Sequence, residues 1–133
     1  MQKIIICGSM SHIVSMKNIA SQLESMGYTP VLPKEDDWNN ITPDQINAYK
    51  KSVSMRHFSE IAADDTHAIF VVNEEKNDTP HYIGANTFAE IAIAFYFGKK
   101  IFLLNGAYKP YEDELSAWGA VALHGNINDI RQH

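Results

Sequence analysis

Glu90 is the one charged residue in an otherwise apolar run, Thr87-Phe88-Ala89-Glu90-Ile91-Ala92-Ile93-Ala94-Phe95-Tyr96-Phe97. A helix that is apolar all round is a buried helix, and a carboxylate on it is costly unless something compensates it. A compensated carboxylate at the mouth of a crevice can serve as nucleophile or general base. The same residue has a second reading. Thr87-Phe88-Ala89-Glu90 matches the capping box, in which a Glu at the third helical position bonds back to the N-cap amide. An acid there also complements the helix dipole. The two readings can coexist, because a capping contact can orient a catalytic carboxylate.

Three further groups could meet a ligand. Gly8-Ser9-Met10-Ser11 is a small-residue turn between a strand and a helix. Such a turn offers backbone N–H groups to a phosphate or sugar. It lacks the spacing of the common nucleotide-binding glycine motifs, and taken by itself it reads as an ordinary strand-to-helix turn. The polar stretch Glu74 to Gly84 is longer than most strand-to-helix connections, which suggests a binding loop or lid. His81 and Tyr82 are its members best suited to touching a base or sugar. The six histidines show no metal-ligand spacing, so no metal and no cofactor is expected. Arg56 and His57 read as part of a solvated helix face.

These groups need elements to hold them. Apolar runs predict strands over Lys3–Cys7, Tyr28–Leu32, Ala68–Val72, Ile101–Leu104 and Ala120–Leu123. Asn73 stands at the end of the third. Pro30 places the second strand at an edge, where a missing N–H does least harm. Between the strands, Met16, Ile19, Ala20 and Leu23 form a helical stripe, with Ser11 as its expected N-cap. Thr42-Pro43-Asp44-Gln45 opens a second helix, which the apolar pattern carries to about Ala63. The Glu90 helix is the third, and Glu112 to Trp118 a short fourth. Ile127 to His133 is a terminal helix or tail. Alternating strands and helices imply a parallel sheet with right-handed crossovers. The simplest fit is a flavodoxin-like α/β fold of about five strands in the order 2-1-3-4-5, one domain over 1–133. That order turns the Gly8 turn, the Asn73 loop and the start of the Glu90 helix toward one crevice.

The bulk numbers remove other classes. The chain is 45% hydrophobic and 20% charged, with a net charge of -5, so no basic stripe is available for a nucleic-acid polymer. One cysteine, Cys7, excludes an internal disulfide framework. Its apolar surroundings make it a buried, inert thiol. No apolar run approaches membrane-spanning length and the N-terminal run is too short for a signal peptide, so the expected location is cytoplasmic. Trp38 and Trp118 read as exposed.

Taken together, Ile4-Ile5-Ile6-Cys7-Gly8-Ser9-Met10, Ala68-Ile69-Phe70-Val71-Val72-Asn73, and Tyr82-Ile83-Gly84-Ala85-Asn86-Thr87-Phe88-Ala89-Glu90 running into Ala94 and Gly98-Lys99-Lys100 resemble the nucleoside 2-deoxyribosyltransferase superfamily. That superfamily also contains small nucleotide N-glycoside hydrolases. The resemblance implies a flavodoxin-like enzyme, homodimeric or larger, whose small-molecule partner is a nucleoside or nucleotide. It places Glu90 at the position of the glutamate that attacks C1′ of the sugar to form a glycosyl-enzyme. Gly8, Ser9 and Met10 then cradle sugar-phosphate or base, and Asn73, Asn86 and Thr87 line the site, with His81 and Tyr82 beside them. The sequence departs from the transferases at three places. Ile5 and Ile6 stand where they carry a tyrosine, Asn73 where they carry an aspartate, and Gly84 where they carry a second aspartate. Asn73 can hydrogen-bond but cannot act as a carboxylic acid. Nucleotide hydrolysis, or a non-catalytic nucleotide-binding or sensor module on the same fold, therefore fits better than base exchange.

Overall fold

In a computed structural model the structure describes residues 2–35 and 40–133. The reading of Trp38 lies outside the described residues. Five parallel strands form one sheet: β1 (Lys3–Cys7), β2 (Thr29–Val31), β3 (Thr66–Val71), β4 (Lys100–Leu103) and β5 (Val121–Ala122). Their order is β2-β1-β3-β4-β5, the doubly wound flavodoxin-like order. Helices α1 (Ile13–Ser25), α2 (Ile46–Ala62), α3 (Ala85–Tyr96) and α4 (Glu112–Ala117) connect them, and a 3-10 turn over Ile127–Gln132 closes the chain.

The strands read as unbroken apolar runs because both sheet faces are covered. Side chains alternate between the faces. Ile4, Ile6, Ala68, Phe70 and Phe102 pack with Met16, Ile19 and Leu23 of α1 and with Ile127 and Ile130. Ile5, Cys7, Ile69, Val71 and Leu103 pack on the other face with Ile61 of α2, Ile91 and Ala94 of α3, and Leu115 of α4. Phe70, Met16, Leu23 and Ile61 are fully buried. Each such side chain contributes about 1.5–3 kcal/mol by leaving water. β2, with Pro30, is an edge strand as expected.

The helix starts differ from expectation. Ser9, not Ser11, is the capping residue. Its hydroxyl accepts from the Ser11 amide at the head of a 3-10 turn, Met10–His12, that precedes α1. Helix α2 begins only at Ile46. The Gln45 side chain does reach back to the Thr42 N–H, at 3.3 Å, but the Thr42 hydroxyl is taken by Asp44. At α3 the N-cap is Gly84, so Thr87 is the third helical residue and Glu90 the sixth. The capping-box reading of Glu90 is thereby overturned, since a residue in the second turn faces no free N-terminal amides. Nor is α3 buried all round. Phe95, Tyr96 and Phe97 are exposed at its C-terminal end, Tyr96 at 80%.

Candidate functional site

β1 ends at Cys7, and Gly8 turns the chain with φ of +154°. A Cβ on Gly8 would stand 2.9 Å from the Met16 methyl and 3.1 Å from the Val72 carbonyl oxygen. Only glycine lets the turn pass this close to β3 and α1. Ser9 and Met10 follow, and their surroundings open into a cavity of about 600 Å³. That is the size of a small-molecule site. Its walls come from the β1 turn (Gly8, Ser9, Met10), the segment after β2 (Pro33, Lys34, Glu35), the inner face of α2 (Val53, Ser54, His57), the β3–α3 loop (Lys76, Tyr82) and the start of α3 (Asn86, Thr87, Glu90). The expected convergence of the β1 turn and the Glu90 helix on one crevice is observed.

Glu90 is 7% exposed. Its Oε2 lies 3.4 Å from Nδ1 of His57. The hydrogen bond to Glu90 raises the His57 pKa above its ordinary 6.5; burial opposes it, and the charges of Glu90 and Glu60 add to it against a smaller effect of Arg56. The imidazole side chain is 21% exposed, while its Nε2 is fully buried with no hydrogen-bond partner. The Cys7 thiol, 2% exposed, also neighbours Glu90. Burial, and then the neighbouring carboxylate, push its pKa well above the usual thiol range. It is therefore an unreactive thiol, as its strand pattern implied.

The β3–α3 loop is built rather than slack. Lys76 and Thr79 exchange backbone hydrogen bonds of 3.0 and 2.9 Å. Between them Asn77 and Asp78 both have positive φ, the signature of a type I′ turn. Tyr82 N–H bonds the Glu74 carbonyl, and the His12 ring meets the Glu75 carbonyl. Lys76 Nζ donates to Ser9 Oγ at 2.9 Å and lies 5.5 Å from the Tyr82 ring centroid. A cation and a hydroxyl thus stand together at the cavity wall. Tyr82 in turn is held by a run of rings, Tyr82–Tyr108–Tyr111–Phe88–Trp118–Phe95, each within 5.7 Å of the next. Trp118 is half-buried in this run rather than exposed.

Of the residues singled out from sequence, Gly8, Ser9, Met10, Tyr82, Asn86, Thr87 and Glu90 come together in the cavity wall. Asn73 and His81 do not. Asn73 is fully buried, and its side chain donates to the Gly106 carbonyl at 2.7 Å and accepts from the Asn105 N–H at 3.0 Å. It ties the end of β3 to the loop after β4. His81 takes a positive φ of 56° and packs beside Gly106. Sequence reasoning missed His57 and Lys76. The signal for His57 was present, since Val53, His57 and Ile61 are spaced i, i+4, i+8 and so share one helix face. Lys76 is the only cation between Glu74 and Gly84.

Among the described residues no group of three or more His, Cys, Asp or Glu could hold a metal ion. No described helix is long and apolar enough to cross a membrane. No protein-family model matches the chain. No curated protein matches it either. Among solved structures, the CMP N-glycosidase BcmB of Clostridium botulinum matches with a TM-score of 0.56 over 99% of this chain and 100% of that one, at 15% identity. At that identity the likeness establishes a shared fold: this chain is similar, end to end, to the doubly wound fold of that N-glycosidase.

Proposed function

We propose that the chain is an N-glycoside hydrolase of the nucleoside 2-deoxyribosyltransferase superfamily, acting on a nucleoside or nucleotide with Glu90 as nucleophile. The observation that carries this reading is a buried carboxylate, partnered by an imidazole, in the wall of a cavity of substrate size. Retaining glycosyl transfer needs a carboxylate of that kind against the anomeric carbon. Glu90 Oε bonds to C1′ as the C1′–N bond breaks, and the electron pair leaves with the base. Water then attacks C1′ and returns the carboxylate. Ser9 and Lys76 meet the sugar or its phosphate, a charge-assisted contact suited to an anion. Gly8, Met10, Tyr82, Asn86 and Thr87 complete the cradle. Because Asn73 is committed to Asn105 and Gly106, and Gly84 carries no side chain, the carboxylates that handle the base in the transferases have no counterpart here. This favours hydrolysis over base exchange. A nucleotide substrate also fits a cytoplasmic location.

We also assign a homodimer or larger assembly, supported by the exposed Phe95, Tyr96 and Phe97. Contiguous exposed apolar side chains of this size mark association surfaces.

Incubation of the wild type and Glu90→Gln with ribo- and deoxyribonucleosides and their monophosphates, read as free base by chromatography, tests the proposal. Base released by the wild type and not by a folded Glu90→Gln is the expected result. Release undiminished in the variant removes Glu90 from the mechanism. No release by the wild type from any substrate returns the fold to a binding module, to be screened by ligand-induced thermal stabilisation.

A further inference from the structure

We propose that His57 is the positioning partner of Glu90: its imidazolium holds the carboxylate ordered in the cavity wall and stabilises it when it departs from the glycosyl ester. The inference rests on the glycosidase reading and extends it to a residue on a different helix. Three observations carry it. His57 reaches Glu90 across the packed α2–α3 faces, Nδ1 to Oε2 at 3.4 Å. Its other ring nitrogen is buried without a partner, so the ring's polar contact in this region is spent on Glu90. Both residues line the same cavity.

The geometry also decides what His57 does not do. In a displacement at C1′ the nucleophile enters opposite the departing base. A ring bonded to the nucleophile therefore stands on the wrong face to protonate the base, which takes its proton from solvent. Ester formation removes the Glu90 charge and leaves the imidazolium without its counter-ion. When water attacks C1′, the C1′–O bond breaks, the electron pair returns to Glu90, and the water's proton goes to solvent. The waiting cation favours that second half. Among the described residues, the charged and titratable groups that act on His57 are Glu90 from α3 and Glu60 and Arg56 from its own helix, while Cys7 from β1 neighbours Glu90. Lys34, Glu35, Lys76 and Tyr82 lie elsewhere in the cavity wall.

A raised imidazole pKa means that His57 keeps its charge at about 6.5, where a free imidazole has half lost it, and gives it up as pH rises through the higher, folded-state value. Turnover of the best-cleaved nucleotide should therefore fall on that alkaline side. His57→Ala should lose about ten- to a hundredfold in kcat, the equivalent of one hydrogen bond to a charged group. His57→Asn keeps a donor near the Nδ1 position but no charge. It should recover part of that loss and show no alkaline limb. Independently, an NMR titration of the histidine rings, with His57 assigned by its absence in His57→Asn, should show its pKa falling in Glu90→Gln.

An unchanged His57 titration in Glu90→Gln overturns the pairing. Glu90-dependent base release with the same alkaline limb in wild type and His57→Asn overturns this inference alone. No base release from the wild type overturns the glycosidase reading, and the catalytic part of this one with it, whatever the titration shows.

Discussion

Asn73→Ala gives the sharpest test of how the site is framed. The Asn73 side chain makes two hydrogen bonds, to the Gly106 carbonyl and from the Asn105 N–H, from a fully buried position. Truncation leaves both partners without it. An unsatisfied buried group costs about 1–3 kcal/mol. Asn105 and Gly106 are only half-buried and regain some water, so the lower part of that range applies to each. The total is about 2–3 kcal/mol. For a chain of 133 residues, about 3–4 °C of melting temperature corresponds to 1 kcal/mol, so the expected fall is about 6–12 °C. Circular dichroism melts measure it directly. Asn73→Asp adds a signed check. It keeps the acceptor for the Asn105 amide but sets a carboxylate oxygen against the Gly106 carbonyl. The folded state then raises that acid's pKa, so the variant should be destabilised at neutral pH and should recover as pH falls and the carboxyl becomes a donor. Because Asn73 lies outside the cavity wall, Asn73→Ala assayed well below its melting point should retain base release. A melting shift below about 3 °C, or loss of base release with the fold intact, would refute the structural assignment of Asn73.

Gly8→Ala should cost about 1–3 kcal/mol, the usual penalty for a side chain in this strained backbone region. The Met16 methyl can yield but the Val72 carbonyl 3.1 Å away cannot, and the displaced β1 turn should raise KM; thermal melts and kinetics measure the two effects. Tyr96→Glu, at an 80% exposed position, should leave stability within about 0.5 kcal/mol and shift the protein toward monomer in sedimentation velocity. An unchanged assembly in that variant removes the end of α3 as the contact surface.

The sheet was legible because its signal is local. Ile4, Ile5 and Ile6, or Ala68 to Val71, carry strand propensity and burial in one short run. The β2 edge was legible because Pro30 lacks a donor. The start of α3 was not. Thr87-x-x-Glu90 has the lettering of a cap, but Ala85 and Asn86 extend the helix upstream to Gly84, which caps without a side chain. The role of Asn73 depends on residues 32 and 33 positions away, and no local pattern announces such a partner. His57 was legible in spacing and obscured by type. A histidine among lysines, serines and arginine reads as surface until the stripe through Val53 and Ile61 is drawn. Lys76 became relevant only once the loop folded back to set its ammonium beside Ser9.

The two borders of the sheet restrict how copies of the protein can meet. β2 is three residues long and interrupted by Pro30, and β5 is two residues long. Borders this short, one of them interrupted by proline, offer few free amides and carbonyls to a foreign strand. Continuous β-pairing between molecules is thereby discouraged at both margins, which protects a strongly apolar sheet from templated aggregation. The association proposed for the exposed end of α3 would instead rest on side-chain packing between helices. An interface of that kind can be strengthened or dissolved by single surface substitutions without disturbing the hydrogen-bonded framework beneath it.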